Sequence, residues 1–102
     1  MIEQQGRFLT ADHTKHYGFL ARADRWKLSW LPEIALPIEQ AEAGLRIAEM
    51  AAYWGPWLLF TDKTEAHMVR RVVEQHAQVL GMDALDAYLR CLASDTSRGR
   101  DD

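Results

Sequence analysis

Apolar and polar residues alternate between Phe8 and Leu31, and this period of two predicts β-strands with one buried and one exposed face. Two sets of residues share a parity: Tyr17, Phe19 and Ala21 in one strand, and Trp26, Leu28 and Trp30 in the next. Phe8-Leu9-Thr10 is a candidate third strand. Pro32 is expected to end the second of these strands, because proline cannot donate a hydrogen bond within a central strand.

From Pro37 the apolar spacing changes to that of an amphipathic helix, which is predicted to run to about Trp54. Its buried stripe is predicted to comprise Ala41, Gly44, Leu45, Ala48 and Ala52. A glycine inside a helix costs about 1 kcal/mol relative to alanine, so we attribute Gly44 to a close approach between helix and sheet. Gly55-Pro56 is a strong signal for the end of this helix.

Two further helices are predicted after a short apolar run, residues 57–60, whose length fits either a strand or an apolar loop. Asp62 is predicted to cap the second helix, which ends at Gly81, and Asp83 to cap a third helix that ends near Ala93. The inward-facing residues are predicted to be Ala66, Val69, Val73 and Leu80, flanked by Met68, Val72 and Ala77, and then Leu85, Tyr88, Leu89 and Leu92.

These elements together predict an α+β domain, in which a small two- to three-stranded antiparallel sheet is covered on one face by three helices. The domain is expected to span residues 8–93. Residues 1–7 are predicted to be a flexible terminus, and residues 94–102, which are polar and without periodicity, a disordered tail.

Composition excludes several classes of protein. The 102 residues fit one domain, and 48% of them are hydrophobic, which is too many for a disordered chain. A single cysteine excludes a disulfide framework, and no apolar run approaches the roughly 18 residues of a membrane-spanning helix. The N-terminus lacks the pattern of a signal peptide. We therefore predict a cytoplasmic protein with no membrane partner.

The net charge of −3 disfavours nucleic-acid binding, because such proteins usually carry a basic excess. The charge is unevenly distributed, however: residues 1–36 carry +1 and the rest of the chain carries −4. The densest basic cluster is Arg22, Arg25 and Lys27, with Lys15 nearby. A solvated strand face is the simpler interpretation of this cluster, and contact with nucleic acid through a 22–27 hairpin is the alternative.

No residue pattern predicts a catalytic, cofactor or metal site. His13-x-x-His16 lacks the further ligands of a zinc site, and Cys91 has no local base, so Cys91 is interpreted as a small buried core residue. Three carboxylates of the first helix share their face with Arg46 and are interpreted as solvated; they are Glu39, Glu42 and Glu49. Enzymatic activity is therefore unsupported, although a site assembled from scattered residues would leave no local pattern.

The helical pair at residues 72–93 resembles a DNA-reading helix-turn-helix around Gly81. The second helix fits poorly, since Arg90 stands where the motif needs an apolar residue. That helix also opens with Asp83 and Asp86, which would face a polyanion. An ordinary helical hairpin is the simpler interpretation of this pair.

The four tryptophans are the most unusual content of the chain: Trp26, Trp30, Trp54 and Trp57. Indole rings are enriched at the centres of protein interfaces, and a small domain has limited room to bury four of them. We therefore predict a non-enzymatic protein-interaction module that forms a homodimer through a tryptophan-rich surface. The alternative is a small nucleic-acid-binding regulator that uses the 72–93 pair or the 22–27 hairpin.

The segment Trp26-Lys27-Leu28-Ser29-Trp30-Leu31-Pro32, followed by Gln40-Ala41 and Ile47-Ala48-Glu49, carries one resemblance to known proteins. It resembles small uncharacterised proteins of actinobacteria and their phages, in which a Trp-x-x-Ser-Trp-Leu-Pro strand precedes a Gln-Ala helix. The resemblance covers residues 17–49. It implies a cytoplasmic bacterial or phage origin, and it implies no activity or functional residues. The interaction module predicted above would then be a phage- or prophage-related regulator.

Overall fold

The computed structural model describes the backbone of residues 2–100 and the side chains of residues 2–94. The strands are β1 (Ile2–Gln5), β2 (Phe8–Ala11), β3 (Tyr17–Arg22), β4 (Arg25–Leu28) and β5 (Leu31–Leu36). The helices are α1 (Ile38–Trp54), a short 3₁₀ helix (Gly55–Leu59), α2 (Thr64–Leu80) and α3 (Ala84–Arg100). The strands form one antiparallel meander in the order β1-β2-β3-β4-β5, and α1 packs against it.

The predicted α+β class is confirmed, but the prediction of two or three strands is wrong, because the sheet has five. The strand β1 lies within the segment predicted to be a flexible terminus. It pairs with β2 around Gly6, whose φ of 61° suits a tight turn. The strand β5 contains Pro32, which was expected to end a strand. A proline is tolerated there because β5 lies at the edge of the sheet and Pro32 needs no second partner strand.

The two faces of the sheet differ in what covers them. Leu9, Gly18 and Leu28 are buried and lie on the side that α1 covers. By alternation, Tyr17 and Phe19 lie on the opposite, open side, and Ala21 is exposed. The residues of β3 that were grouped by parity therefore face away from the helices, and glycine and leucine fill the positions nearest to α1.

The helix α1 packs closely on the sheet, as Gly44 predicts. A methyl group at Gly44 would overlap Cδ1 of Leu28 and lie 3.2 Å from Cζ2 of Trp30. The indole Nε1–H of Trp30 donates to the carbonyl oxygen of Gly44 at 3.3 Å. Most of the predicted stripe of α1 is buried, but Ala52 is exposed and its place is taken by Ala51 and Ile47, because the buried face is broader than a single stripe.

The predicted turn between α2 and α3 is confirmed. Gly81 adopts the left-handed conformation with φ of 84°, and a carboxylate oxygen of Asp83 accepts the backbone N–H of Asp86 at 3.0 Å. The predicted capping by Asp62 is wrong, since Lys63 occupies the capping position of α2 and no side chain caps it. The run 57–60 is neither strand nor loop, because most of it belongs to the 3₁₀ helix.

The buried face of α3 is rotated relative to the prediction. Ala87, Tyr88 and Cys91 are buried, whereas Leu85 and Leu89 are 52% and 45% exposed. The helix continues to Arg100, past the end predicted near Ala93. The side chains of residues 95–102 lie outside the described part of the chain, and the predicted disordered tail stays a prediction.

Candidate functional site: an aromatic corner beside an apolar groove

The structure divides the four tryptophans into two pairs. Trp26 and Trp30 belong to the core and are 4% and 3% exposed, so this fold offers neither ring to a partner. Trp54, at the end of α1, is half-buried, and Trp57, in the 3₁₀ helix, is 45% exposed. The four tryptophans therefore do not share one surface. Only Trp54 and Trp57 remain candidates for contact with a partner.

These two rings are the centre of a cluster that we call the aromatic corner, defined as Tyr53, Trp54, Trp57 and Phe60. The indoles of Trp54 and Trp57 stack with their planes 6° apart and their centroids 5.5 Å apart. Tyr53 meets Trp54 edge-on at 5.6 Å. Tyr53 and Phe60 are 76% and 81% exposed, which is unusual for large rings in a small domain. The corner is therefore an apolar projection into solvent.

The corner is held in place by side chains from α2 and α3. The hydroxyl of Tyr88 donates to the carbonyl oxygen of Gly55 at 2.7 Å. Arg70 donates from Nη1 to the carbonyl oxygens of Leu58 and Thr61 at 2.7 and 3.0 Å. Both ends of the 3₁₀ segment are thus fixed to the helical layer, and Gly55 supports the sharp change of direction with a φ of 62°. The rings are presented on a fixed backbone.

A groove of about 320 Å³ lies next to the corner, between the 3₁₀ helix and the α2–α3 turn. Its apolar lining comes from Leu58, Leu59, Val73, Ala84, Leu85 and Tyr88. Its polar lining is of mixed sign, with one cation, Arg70, and two carboxylates, Glu74 and Asp83. The mostly exposed Leu85 makes this groove continuous with the surface of α3. A projecting aromatic side chain of a partner could enter such a groove.

The hydrogen bond from Tyr88 to Gly55 predicts a measurable stability effect. A phenol is already protonated at neutral pH, and burial raises the pKa of Tyr88 to about 12, so its hydroxyl remains a donor into the alkaline range. Tyr88→Phe is expected to lower the free energy of unfolding by about 1 kcal/mol, because the Gly55 carbonyl loses its donor. Chemical denaturation measures this loss. Tyr53→Phe is the control and should change stability little, since its ring is exposed; equal losses for the two variants would contradict this role of Tyr88.

The basic residues predicted as the alternative site lie at one end of the sheet. Arg22 and Arg25 flank the two-residue turn between β3 and β4 and are both exposed. Lys27 pairs across the strands with Phe19, so its side chain lies on the open face. None of the three forms an ion pair within the part of the chain whose side chains are described.

The remaining candidate residues do not form a reactive cluster. His16 is buried at 2% exposure and forms hydrogen bonds with the Ser29 hydroxyl and the backbone carbonyl of Cys91. Cys91 is buried, as predicted. Within the described residues, no group of three or more His, Cys, Asp or Glu is placed to hold a metal ion. Asp83 and Asp86 lie at the start of α3, and Asp86 forms an ion pair with Arg90 at 3.4 Å.

Two parts of this site could not be identified from the sequence. The groove depends on the orientation of α3 that exposes Leu85, which differs from the predicted one. In the sequence Arg70 is indistinguishable from any charged helix residue, and only the structure shows its carbonyl partners. The sequence does contain a weak signal for the corner, because four aromatic residues fall within eight positions around Gly55-Pro56. One helix end has limited space to bury four large rings, which favours the exposure of at least one of them.

Comparison of the chain with protein-family models, curated proteins and solved structures gives no match. None of the helices in the described part of the chain is long and apolar enough to cross a membrane.

Proposed function

We propose that this protein is a non-enzymatic interaction module that forms a homodimer through the aromatic corner and the adjacent groove. The observation that carries the proposal is the exposure of Tyr53, Trp57 and Phe60 on a backbone fixed by Arg70 and Tyr88. Large aromatic side chains that are preorganised on a rigid backbone are typical of interface hot spots. Leaving such rings in water is costly in free energy unless a partner covers them.

A second copy of the chain suits this surface because projection and groove lie side by side. In a two-fold symmetric dimer the same patch contacts itself, so a ring of one copy can enter the groove of the other and the reverse. Phe60 is the most exposed ring of the corner, at 81%, and the groove of about 320 Å³ is large enough for a phenyl ring. The groove residues Arg70, Glu74 and Asp83 include both signs of charge, which is compatible with self-association.

The setting of this function is proposed as the cytoplasm of a bacterium or of a phage-infected cell. Cys91 is the single cysteine and is fully buried, which suits a reducing compartment without requiring one. The resemblance of residues 17–49 to actinobacterial and phage proteins supports the same setting. An interaction module that lacks a catalytic centre would act in regulation by occupying a partner's surface.

Sedimentation equilibrium over a wide range of chain concentration tests the homodimer. We expect the wild type to show a monomer–dimer equilibrium, and Phe60→Ser to weaken it by at least about tenfold, because hot-spot truncations commonly cost 2 kcal/mol or more. Phe60 is mostly exposed in the free chain, so its substitution should leave the fold intact.

Phe8→Ser is the matched control, because Phe8 is also an exposed phenylalanine, at 51%, and lies on the open face of the sheet. This variant should dimerise like the wild type. A wild type that stays monomeric at millimolar concentration would overturn the proposal. A Phe60→Ser variant that dimerises as tightly as the wild type would also overturn it.

A further inference from the structure

The open face of the sheet carries a second exposed aromatic surface, separate from the corner. Phe8 on β2 lies opposite Phe19 on β3, and Tyr17 lies two cross-strand pairs away on the same face, opposite Thr10. The ring centroids of Phe8 and Tyr17 are 6.2 Å apart, and those of Tyr17 and Phe19 are 6.3 Å apart. We call these three rings the sheet platform. Phe8 is 51% exposed and the other two rings are half-buried, so the platform offers ring surface to solvent.

Positive charge is concentrated in the strands that carry this platform. Residues 7–27 contain five basic and two acidic residues, a net charge of +3, whereas the rest of the chain contains seven basic and thirteen acidic residues, a net charge of −6. This basic excess is confined to β2–β4 and the turns around them, because Glu3 on β1 and Glu33 on β5 lower the net charge of residues 1–36 to +1. Lys27 lies directly beside the platform, opposite Phe19, and Arg25 lies two residues earlier on the same strand.

The combination of unstacked rings and cations on an open antiparallel sheet fits one class of partner best. Unpaired bases stack on aromatic side chains, while nearby lysine and arginine neutralise the phosphates. A base-paired duplex cannot present its base faces to Phe8, Tyr17 and Phe19. An apolar protein partner would gain little from Arg25 and Lys27 without carboxylates of its own.

We propose that the sheet platform, with Arg25 and Lys27, binds single-stranded nucleic acid by stacking about two or three bases. This inference is independent of the homodimer, because the platform lies on the face of the sheet opposite α1, whereas the corner lies at the end of α1. A dimer held by the corner would carry two such surfaces and would gain avidity for a longer strand.

Fluorescence anisotropy with short labelled oligothymidine and oligouridine tests this proposal on the whole chain. We expect binding that weakens as salt rises, since phosphate contacts release counterions. Phe8→Ser should weaken binding roughly tenfold, because stacking a base on a ring is sequence-tolerant but strong. Lys27→Gln should weaken binding of both oligonucleotides alike and reduce the salt slope by about one phosphate contact.

Two matched controls come from the helical layer. Met68→Ser removes an exposed apolar side chain of α2, and Arg71→Gln removes an exposed cation of the same helix, and neither should change affinity. The proposal is overturned if no salt-dependent binding is found, or if Phe8→Ser binds like the wild type. Equal affinity for a duplex of the same length would also overturn it, since only unpaired bases can stack.

Discussion

Gly44→Ala is expected to lower the free energy of unfolding by about 1–2 kcal/mol, although the same exchange at an open helix position stabilises a protein. The alanine gains about 1 kcal/mol of helix propensity. This gain is exceeded because the added methyl group overlaps Cδ1 of Leu28. Leu28 is fully buried, and because protein interiors are close-packed, moving its side chain aside requires a shift of the helix or the sheet.

A shift of α1 would also lengthen the hydrogen bond from the Trp30 indole to the Gly44 carbonyl, now 3.3 Å. Urea or guanidinium denaturation measures the change in stability. Ala52→Gly is the control in the same helix: Ala52 is exposed, so that variant should lose about 1 kcal/mol through propensity alone. A Gly44→Ala variant that is more stable than the wild type would show that α1 does not approach the sheet this closely.

His16→Ala is expected to destabilise the fold by about 2–4 kcal/mol, because it removes a buried polar network and leaves a cavity. The Cys91 backbone carbonyl can only accept, so Nε2 of His16 must donate to it across 3.2 Å. In the neutral imidazole Nδ1 then accepts from the Ser29 hydroxyl at 3.0 Å, and the hydroxyl oxygen accepts the backbone N–H of Tyr17 at 2.9 Å. One side chain thus connects β3 and the start of the β4–β5 turn to α3.

The loss after His16→Ala should appear as a lower denaturation midpoint in a two-state transition. His13→Asn is the control, because His13 is exposed in the same loop and has a φ of 44°, which asparagine tolerates. This control should change stability by less than about 0.5 kcal/mol. Equal losses for the two variants would contradict the role of His16 as the link between sheet and helix.

Features of the fold that depend on local chemistry were predictable from the sequence. Gly81 and Asp83 mark a helix boundary by conformational freedom and side-chain capping, and both act as expected. Gly44 was also predictable, because a glycine inside a helix needs a packing reason. Local chemistry was not sufficient at Asp62, since Lys63 occupies the capping position of α2. Other failures depend on tertiary context. Pro32 is acceptable only because β5 is an edge strand.

The candidate surfaces were predictable only in part. Alternation in β3 has large residues on one side and small or aliphatic ones on the other, so the pattern alone does not show that Tyr17 and Phe19 face solvent. The tryptophan count suggested an exposed ring, and the structure places Trp57 at the surface and Trp26 in the core. The groove could not be inferred, since it is formed by three segments that meet only after folding.

The two surfaces are proposed to bind different partners: the aromatic corner a second copy of the chain, and the sheet platform a single-stranded nucleic acid. The helical layer carries the aromatic corner with mixed charges, and the sheet carries rings among basic residues. The dimer and the nucleic-acid site are tested by separate variants, Phe60→Ser for the dimer and Phe8→Ser for the nucleic-acid site.

Paramagnetic relaxation measured between two copies tests the central claim, self-association through the corner, most directly. The variant Asp62→Cys, at an exposed position two residues after Phe60, is spin-labelled. It is mixed with isotope-labelled wild-type chain that carries no spin label. The buried thiol of Cys91 should stay unlabelled. We predict that the amide signals of Glu74 and Leu85, which line the groove, broaden in the isotope-labelled copy. Absence of broadening between copies, or broadening confined to the sheet around Phe8 and Phe19, would contradict the account.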